Sequence, residues 1–356
     1  MTSAATRVIP LQAAVSGAAV RESRAIKSLL SLSLLFLCAL SARAGAREVS
    51  GPPESVQKLY NSAHYREASQ AIKAALETNP EDSNLLYWLG RCFYELHDFA
   101  RSVTNLEHAI TIDPNRSEFH DWLGKAWGRR AEEAGPLGAF SALGMARKAN
   151  REFDLAVRLQ PENLEAQRDL IRYLMNAPGI AGGSEDRALD QIIDLEKVDP
   201  AEGALARAEL FATHKKFDQA DDQYQKVLRM PVRRAGVGLE VAEYYRDRGD
   251  AEHMEQAVNA AAAVDPSDQR LLYYRGVMLV LAHRNPDEAE KHLRTYLDTV
   301  PGSAEVPPHS SAHEWLGKLY EYENHPDRAI EEYQAALALD PHNKGAREAL
   351  KQLQKK

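Results

Sequence analysis

Apolar residues recur along most of the chain at spacings of three and four, the period of a helix with one buried face. The stretch Ser311 to Pro341 displays the pattern most clearly. Leu316 and Tyr320 are four apart, as are Ala329 and Tyr333, which predicts two amphipathic helices with a turn at Asn324 to Pro326. The small Gly317 and Ala329 allow the two backbones to approach closely, so the helices form an antiparallel pair. Pro341 ends the second helix, because proline lacks the donor for the next hydrogen bond and biases the preceding residue away from helical geometry.

The same order recurs upstream. Val56 to Tyr60 and Tyr65 to Thr78 form a first pair closed by Pro80. Leu86, Leu89, Gly90 and Phe93 lead through Ser102, Leu106 and Ala109 to Pro114, 34 residues after Pro80. A third unit opens with His120, Leu123, Gly124 and Trp127, but its second half (Ala149, Phe153, Ala156, Pro161) arrives late. The extra residues, near 129–145, fit either a short added helix or a lengthened hairpin. In the fourth unit, Leu170 and Leu174 precede an overlong turn near 176–187, which contains Pro178 to Gly183 and a helix cap at Ser184. Units ending at Pro231, Pro266 and Pro301 follow, then the stretch ending at Pro341. Asn343 caps a last helix, whose Lys344, Arg347 and Lys351 give a polar outer face.

This order of Trp/Leu, Gly, Tyr, then Ala, aromatic, Ala and Pro resembles the tetratricopeptide repeat, a helix-turn-helix unit of 34 residues. The resemblance implies an all-α fold: a right-handed α-solenoid of about eight pairs over 56–342, with a capping helix over 343–356. It also implies that the first helix of each pair lines a concave groove where a partner protein or peptide binds. The residues placed there are Tyr87, Arg91 and Tyr94 in unit two and Asp121, Lys125 and Arg129 in unit three. Their aromatic and cationic groups suit an acidic or aromatic peptide segment. Some family members grip a carboxylate with paired Lys and Asn, and this chain has Arg91 and Lys125 where the Asn is expected.

The pattern breaks at the N-terminus. Arg7, Arg21, Arg24 and Lys27 precede an apolar run from Leu29 to Leu40, and Ala42-Arg43-Ala44 follows. A basic start, a short apolar run and an A-x-A site read as a signal peptide over 1–46, with a linker over 47–55. The expected location is periplasmic or secreted. An uncleaved membrane anchor is the alternative, and only then would the chain contact a membrane; an organellar presequence fits the dense leucine run less well.

The whole chain carries a net charge of −8, and loss of residues 1–46 removes five basic side chains and one acid, leaving −12. An acidic surface disfavours nucleic acid as a partner. Of the two cysteines, Cys38 lies in the apolar run, so Cys92 has no intrachain disulfide partner and reads as a small buried hydrophobe. No pattern identifies a catalytic group or a cofactor. The glycines of 179–183 lack the G-K-[ST] ending of a phosphate loop, and His309 and His313 have no third ligand nearby, so no metal is expected. The chain therefore reads as a non-enzymatic scaffold. The alternative is an accessory factor lending 129–145 to a partner enzyme's composite site.

Overall fold

A computed structural model describes residues 53–135, 138–303 and 306–354. The signal-peptide reading of 1–46 lies outside the described residues, as does most of the linker. The described residues form seventeen α-helices and one short 3-10 turn, with no strand among them. In chain order the helices are α1 (Glu54–Asn61), α2 (Tyr65–Thr78), α3 (Ser83–Glu95), α4 (Phe99–Ile112), α5 (Ser117–Glu133) and α6 (Ala139–Leu159). They continue as α7 (Leu164–Asn176), α8 (Glu185–Val198), α9 (Pro200–Thr213), α10 (Phe217–Leu228), α11 (Ala235–Asp247) and α12 (Ala251–Val264). The series ends with α13 (Arg270–Leu281), α14 (Pro286–Thr299), α15 (His309–Tyr322), α16 (Pro326–Leu339) and α17 (Lys344–Leu353). No described helix is long and apolar enough to cross a membrane.

Nearly every helix packs on the next, α10 and α11 being the exception, and the first helices of successive pairs also touch, so α3 meets α5, α5 meets α7 and α7 meets α9. This is the stacking an open solenoid needs, since one pair alone cannot cover its apolar surface. Eight pairs run from α1 to α16, with α17 packed on α16. The close approach within a pair comes from a glycine on the first helix set against a large side chain on the second. A Cβ on Gly90 would strike Leu106, one on Gly276 would strike Leu293, and one on Gly317 would meet the ring of Tyr333 at 2.5 Å. The second helices return the fit with alanines that are wholly buried, among them Ala68, Ala109, Ala289 and Ala329.

Most pairs turn in one way. The second residue after the first helix adopts a left-handed conformation at Ala63, His97, Lys215, Gly249, His283 and Asn324. The following N–H reaches back to a carbonyl five residues earlier, as in Asp98 to Phe93 at 2.9 Å and His325 to Tyr320 at 2.8 Å, satisfying an orphan carbonyl of the helix end. Side chains of Asp82, Asp98, Asn163, Ser184, Asp250 and Asn343 accept from the first turn of the helix that follows each.

The third and fourth pairs depart from this plan. The residues near 129–145 are a lengthened hairpin: α5 runs for 17 residues and α6 for 21, against 12 to 14 in α9 to α16. The fourth pair turns through an extended Ala177-Pro178, a 3-10 turn at Gly179–Ala181, and Gly182 at φ +103°. Gly183 lies so close to the carbonyl of Ala177 that no side chain would fit.

Candidate functional site

The six groove residues fall where the first helices α3 and α5 meet, but burial divides them. Tyr87 does not face the groove. It is buried against Phe119, the two rings stacked at 4.8 Å, and burial pushes its phenol up to about 12. The correction has a simple cause, since a first helix in a stack packs against its own partner and against the first helices on either side. Arg91 is half-buried in an aromatic cage, its guanidinium carbon 4.2 Å from the ring centres of both Trp88 and Trp122 and 4.7 Å from that of Tyr60. Tyr94 sets its ring edge-on against Trp122 and Phe99.

Asp121 is also not on the surface, at 2% exposure. It joins Lys125, four residues on, in a cluster completed by α7. The ammonium of Lys125 lies 2.9 Å from Asp121, 2.5 Å from Glu165 and 2.9 Å from Asp169. The three carboxylates are within 4.8 Å of one another, close enough to share a cation, and Lys125 supplies it. Burial pushes the Asp121 carboxyl up to about 7 against the pull of Lys125, while Lys125 itself is held well above its ordinary value because the three carboxylates outweigh the cost of its burial. Arg129 pairs with Glu132 at 2.5 Å. Lys125 and Arg129 are therefore already matched or outnumbered by acids, and an acidic partner would meet no unbalanced cation at these two positions.

The ladder continues through residues that sequence reasoning missed. Arg168, on α7, pairs with Glu202 at 3.1 Å and reaches Glu240 on α11, and Arg172 pairs with the same Glu240 at 2.8 Å and with Glu209 at 3.4 Å. Arg234 holds Glu202 through two bonds of 2.9 and 3.2 Å. Three cations and three carboxylates balance in this second cluster. A signal was present: Glu165 and Asp169 are four apart on the first helix of the unit that follows Lys125.

Beside the Lys125 cluster a cavity of about 730 Å³ opens between α5, α6 and α7. Gly124, Gly128 and Ala131 form the α5 wall, and Ala139, Ala142, Leu143 and Ala146 the α6 wall. Tyr173 and Ala181 close one side, with Lys125, Asp169 and Arg172 along the charged edge. The lengthening of the hairpin therefore builds this space, because the added turns face each other with small side chains. At its margin Ile180, which lines the cavity, is 69% exposed; Phe140, on α6 but outside the lining, is 95% exposed. Of the glycines, Gly124 has a packing reason, since a Cβ there would meet the Phe153 ring at 2.8 Å; at Gly128 it would meet nothing within 4 Å.

The two histidines set aside as metal ligands are engaged locally, His309 with the carbonyl of Val300 at 2.8 Å and His313 with Glu332 at 2.7 Å. Cys92 is buried and its thiol is pushed up to about 12 by that burial. Among the described residues, the Lys125 cluster is the group of acids spaced to hold a metal.

Family comparison agrees with the repeat pattern. Models of the tetratricopeptide repeat match residues 310–343, 56–117 and 242–304, passing over the irregular middle where the structure nonetheless continues as helix pairs. No curated protein matches the sequence. Among solved structures, yeast Tom70 is similar at a TM-score of 0.55 and 16% identity, over 86% of this chain and 61% of that one. The Cut9–Hcn1 hetero-tetramer of the APC/C is similar at 0.48 and 12%, over 84% and 54% of the respective chains, and a thermophilic repeat protein of Thermus thermophilus, TTC0263, at 0.43 and 21%, over 53% and 94%. At these identities the likeness concerns fold alone. Repeats of this kind make a protein interaction scaffold, and with sequence period, helix pairing and family models in agreement, the chain carries tetratricopeptide repeats.

Proposed function

We propose that this protein is a non-enzymatic scaffold that holds a segment of another protein in the cavity between α5, α6 and α7. The observation that carries the reading is the coincidence of three features at one place: the lengthened hairpin, the 730 Å³ cavity it helps to line, and the apolar Ile180 left exposed in that lining. Concave, mostly apolar spaces with a few polar groups are where proteins take ligands, and singly exposed large apolar residues acquire meaning when they flank one. The composite-site reading draws less support. Of the residues near 129–145, 129–133 belong to α5 and 139–145 to α6, and most of those that line the cavity are small and apolar.

Site-specific photo-crosslinking tests this reading. A benzophenone side chain at Ala139, on the cavity rim, is expected to capture a protein adduct in cells, while the same group at Glu77, exposed on α2, does not. Filling the cavity with Gly128→Leu should abolish the adduct. An adduct that survives this substitution, or none at Ala139, refutes the site.

The scaffold is further proposed to act outside the cytoplasm, in the periplasm or secreted. Support comes from the basic start, the apolar run Leu29 to Leu40 and the A-x-A site. An N-terminus of the mature protein at Gly45 or Arg47, read by mass spectrometry, agrees with export by cleavage. An intact Met1 in the membrane fraction agrees with the anchored alternative.

A further inference from the structure

The chemistry of the occupant can be read from the two unlike walls of this cavity, if the cavity is the partner site proposed above. Its apolar wall has depth that nothing within the chain uses. Gly128 lies inside α5, where glycine weakens a helix, yet a Cβ there would meet nothing within 4 Å. The room it leaves continues past the small faces of α5 and α6 toward Ile180 on the surface. A bulky apolar side chain entering from outside would gain contacts on both helices.

Its charged wall is not neutral. Arg129 is balanced by Glu132, and the cluster around Arg168 and Arg172 is balanced within itself. The cluster at Lys125 is not, since one ammonium faces Asp121, Glu165 and Asp169. The Glu165 side chain is 63% exposed, so part of the surplus reaches the surface. Asp121 Oδ1, in a side chain almost wholly buried, accepts no hydrogen bond. A second cation from outside would find uncompensated carboxylate at Glu165 and Asp169, whereas an acidic segment would be repelled.

We infer that the cavity takes a peptide segment of a partner protein in which a bulky apolar side chain stands beside a lysine or arginine. The apolar group fills the space over Gly128, and the cation joins Asp169 at the cavity edge and the exposed Glu165 beside it. This assigns the partner the charge opposite to that expected from Arg91 and Lys125 in sequence.

Selection from a phage-displayed library of random dodecapeptides on the full chain tests the inference, with counter-selection on the Gly128→Leu variant after circular dichroism has shown its helicity unchanged. Peptides retained by the wild type and lost by Gly128→Leu should carry a large apolar residue with Lys or Arg within two positions. The best of them, followed by fluorescence anisotropy, should bind the Glu165→Gln/Asp169→Asn variant at least about tenfold more weakly. If the selected peptides are apolar with acidic or uncharged neighbours, or bind that double variant unchanged, the inferred chemistry is wrong and the cavity stands as the site. If enrichment is the same on Gly128→Leu, or no peptide is enriched, the cavity reading fails along with it.

Discussion

The hydroxyl of Tyr173 donates to the carbonyl oxygen of Ala146 at 2.6 Å, and the carbonyl of Ala181 lies 2.9 Å from the same hydroxyl. One side chain of α7 thereby fixes both α6 and the 3-10 turn at the edge of the cavity. Tyr173→Phe removes this tie and keeps the ring. The expected cost is about 1 kcal/mol, with amide hydrogens of 181–184 exchanging faster and those of α13 unchanged. Uniform exchange across both regions would show that the hydroxyl does not hold the turn.

Two glycines four residues apart should respond in opposite directions to the same substitution. Gly124→Ala forces a methyl group into the Phe153 ring and should lower the melting temperature, by the equivalent of about 1 to 3 kcal/mol. Gly128→Ala adds a methyl group over open space and improves helix propensity, so it should gain about 0.5 to 1 kcal/mol. Thermal melts of both variants beside the wild type decide the matter.

Lys125 is the counter-ion for three carboxylates, and its removal leaves them facing one another. Lys125→Met should destabilise the protein by roughly 3 to 5 kcal/mol at neutral pH, the cost of stranding buried charge. Millimolar calcium should restore part of this in the variant and do little to the wild type, where the ammonium occupies the shared position. A variant as stable as the wild type, without calcium, would mean that the carboxylates do not depend on Lys125.

The pH dependence follows from Asp121, which faces Lys125, Asp169 and Glu165. Its folded-state value is raised from 3.8 to about 7, so between these values the folded protein holds a proton that the unfolded chain releases. Stability from this group is full below about pH 4 and is lost as pH rises toward 7. Glu202, raised by burial to about 7, acts in the same direction. Glu165, held below its ordinary value chiefly by Lys125 against the cost of burial, acts in the opposite direction as pH falls. Asp121→Asn should therefore gain stability relative to the wild type between pH 5 and about pH 8, seen as a widening gap in urea midpoints. A constant gap would place the titration elsewhere.

Much of the architecture was legible in advance, because the prolines at 80, 114, 161 and 341 and the Gly/Ala spacing each report a local packing rule. The Asn343 and Ser184 caps were legible for the same reason. The left-handed turns were less so, since His97, Lys215 and His283 occupy a conformation usually signalled by glycine. The site was harder still. On α3 the buried set includes Leu85, Leu86, Tyr87, Leu89 and Gly90, an apolar arc too broad to reveal which edge faces outward, and Tyr87 was misplaced for that reason. The acids that compensate Lys125 come from a helix 40 and 44 residues further on, and only the stacking of α5 on α7 brings them together.

The reach of Arg168 has a consequence for how the solenoid comes apart. From α7 it bonds Glu202 on α9 and extends to Glu240 on α11, tying the fourth repeat to the sixth across the fifth. A stack held only by adjacent contacts unzips from its ends one repeat at a time. Here the three middle repeats share a rivet, so they should melt as one cooperative block while the terminal repeats fray independently. The cavity proposed for the partner adjoins the edge of that block.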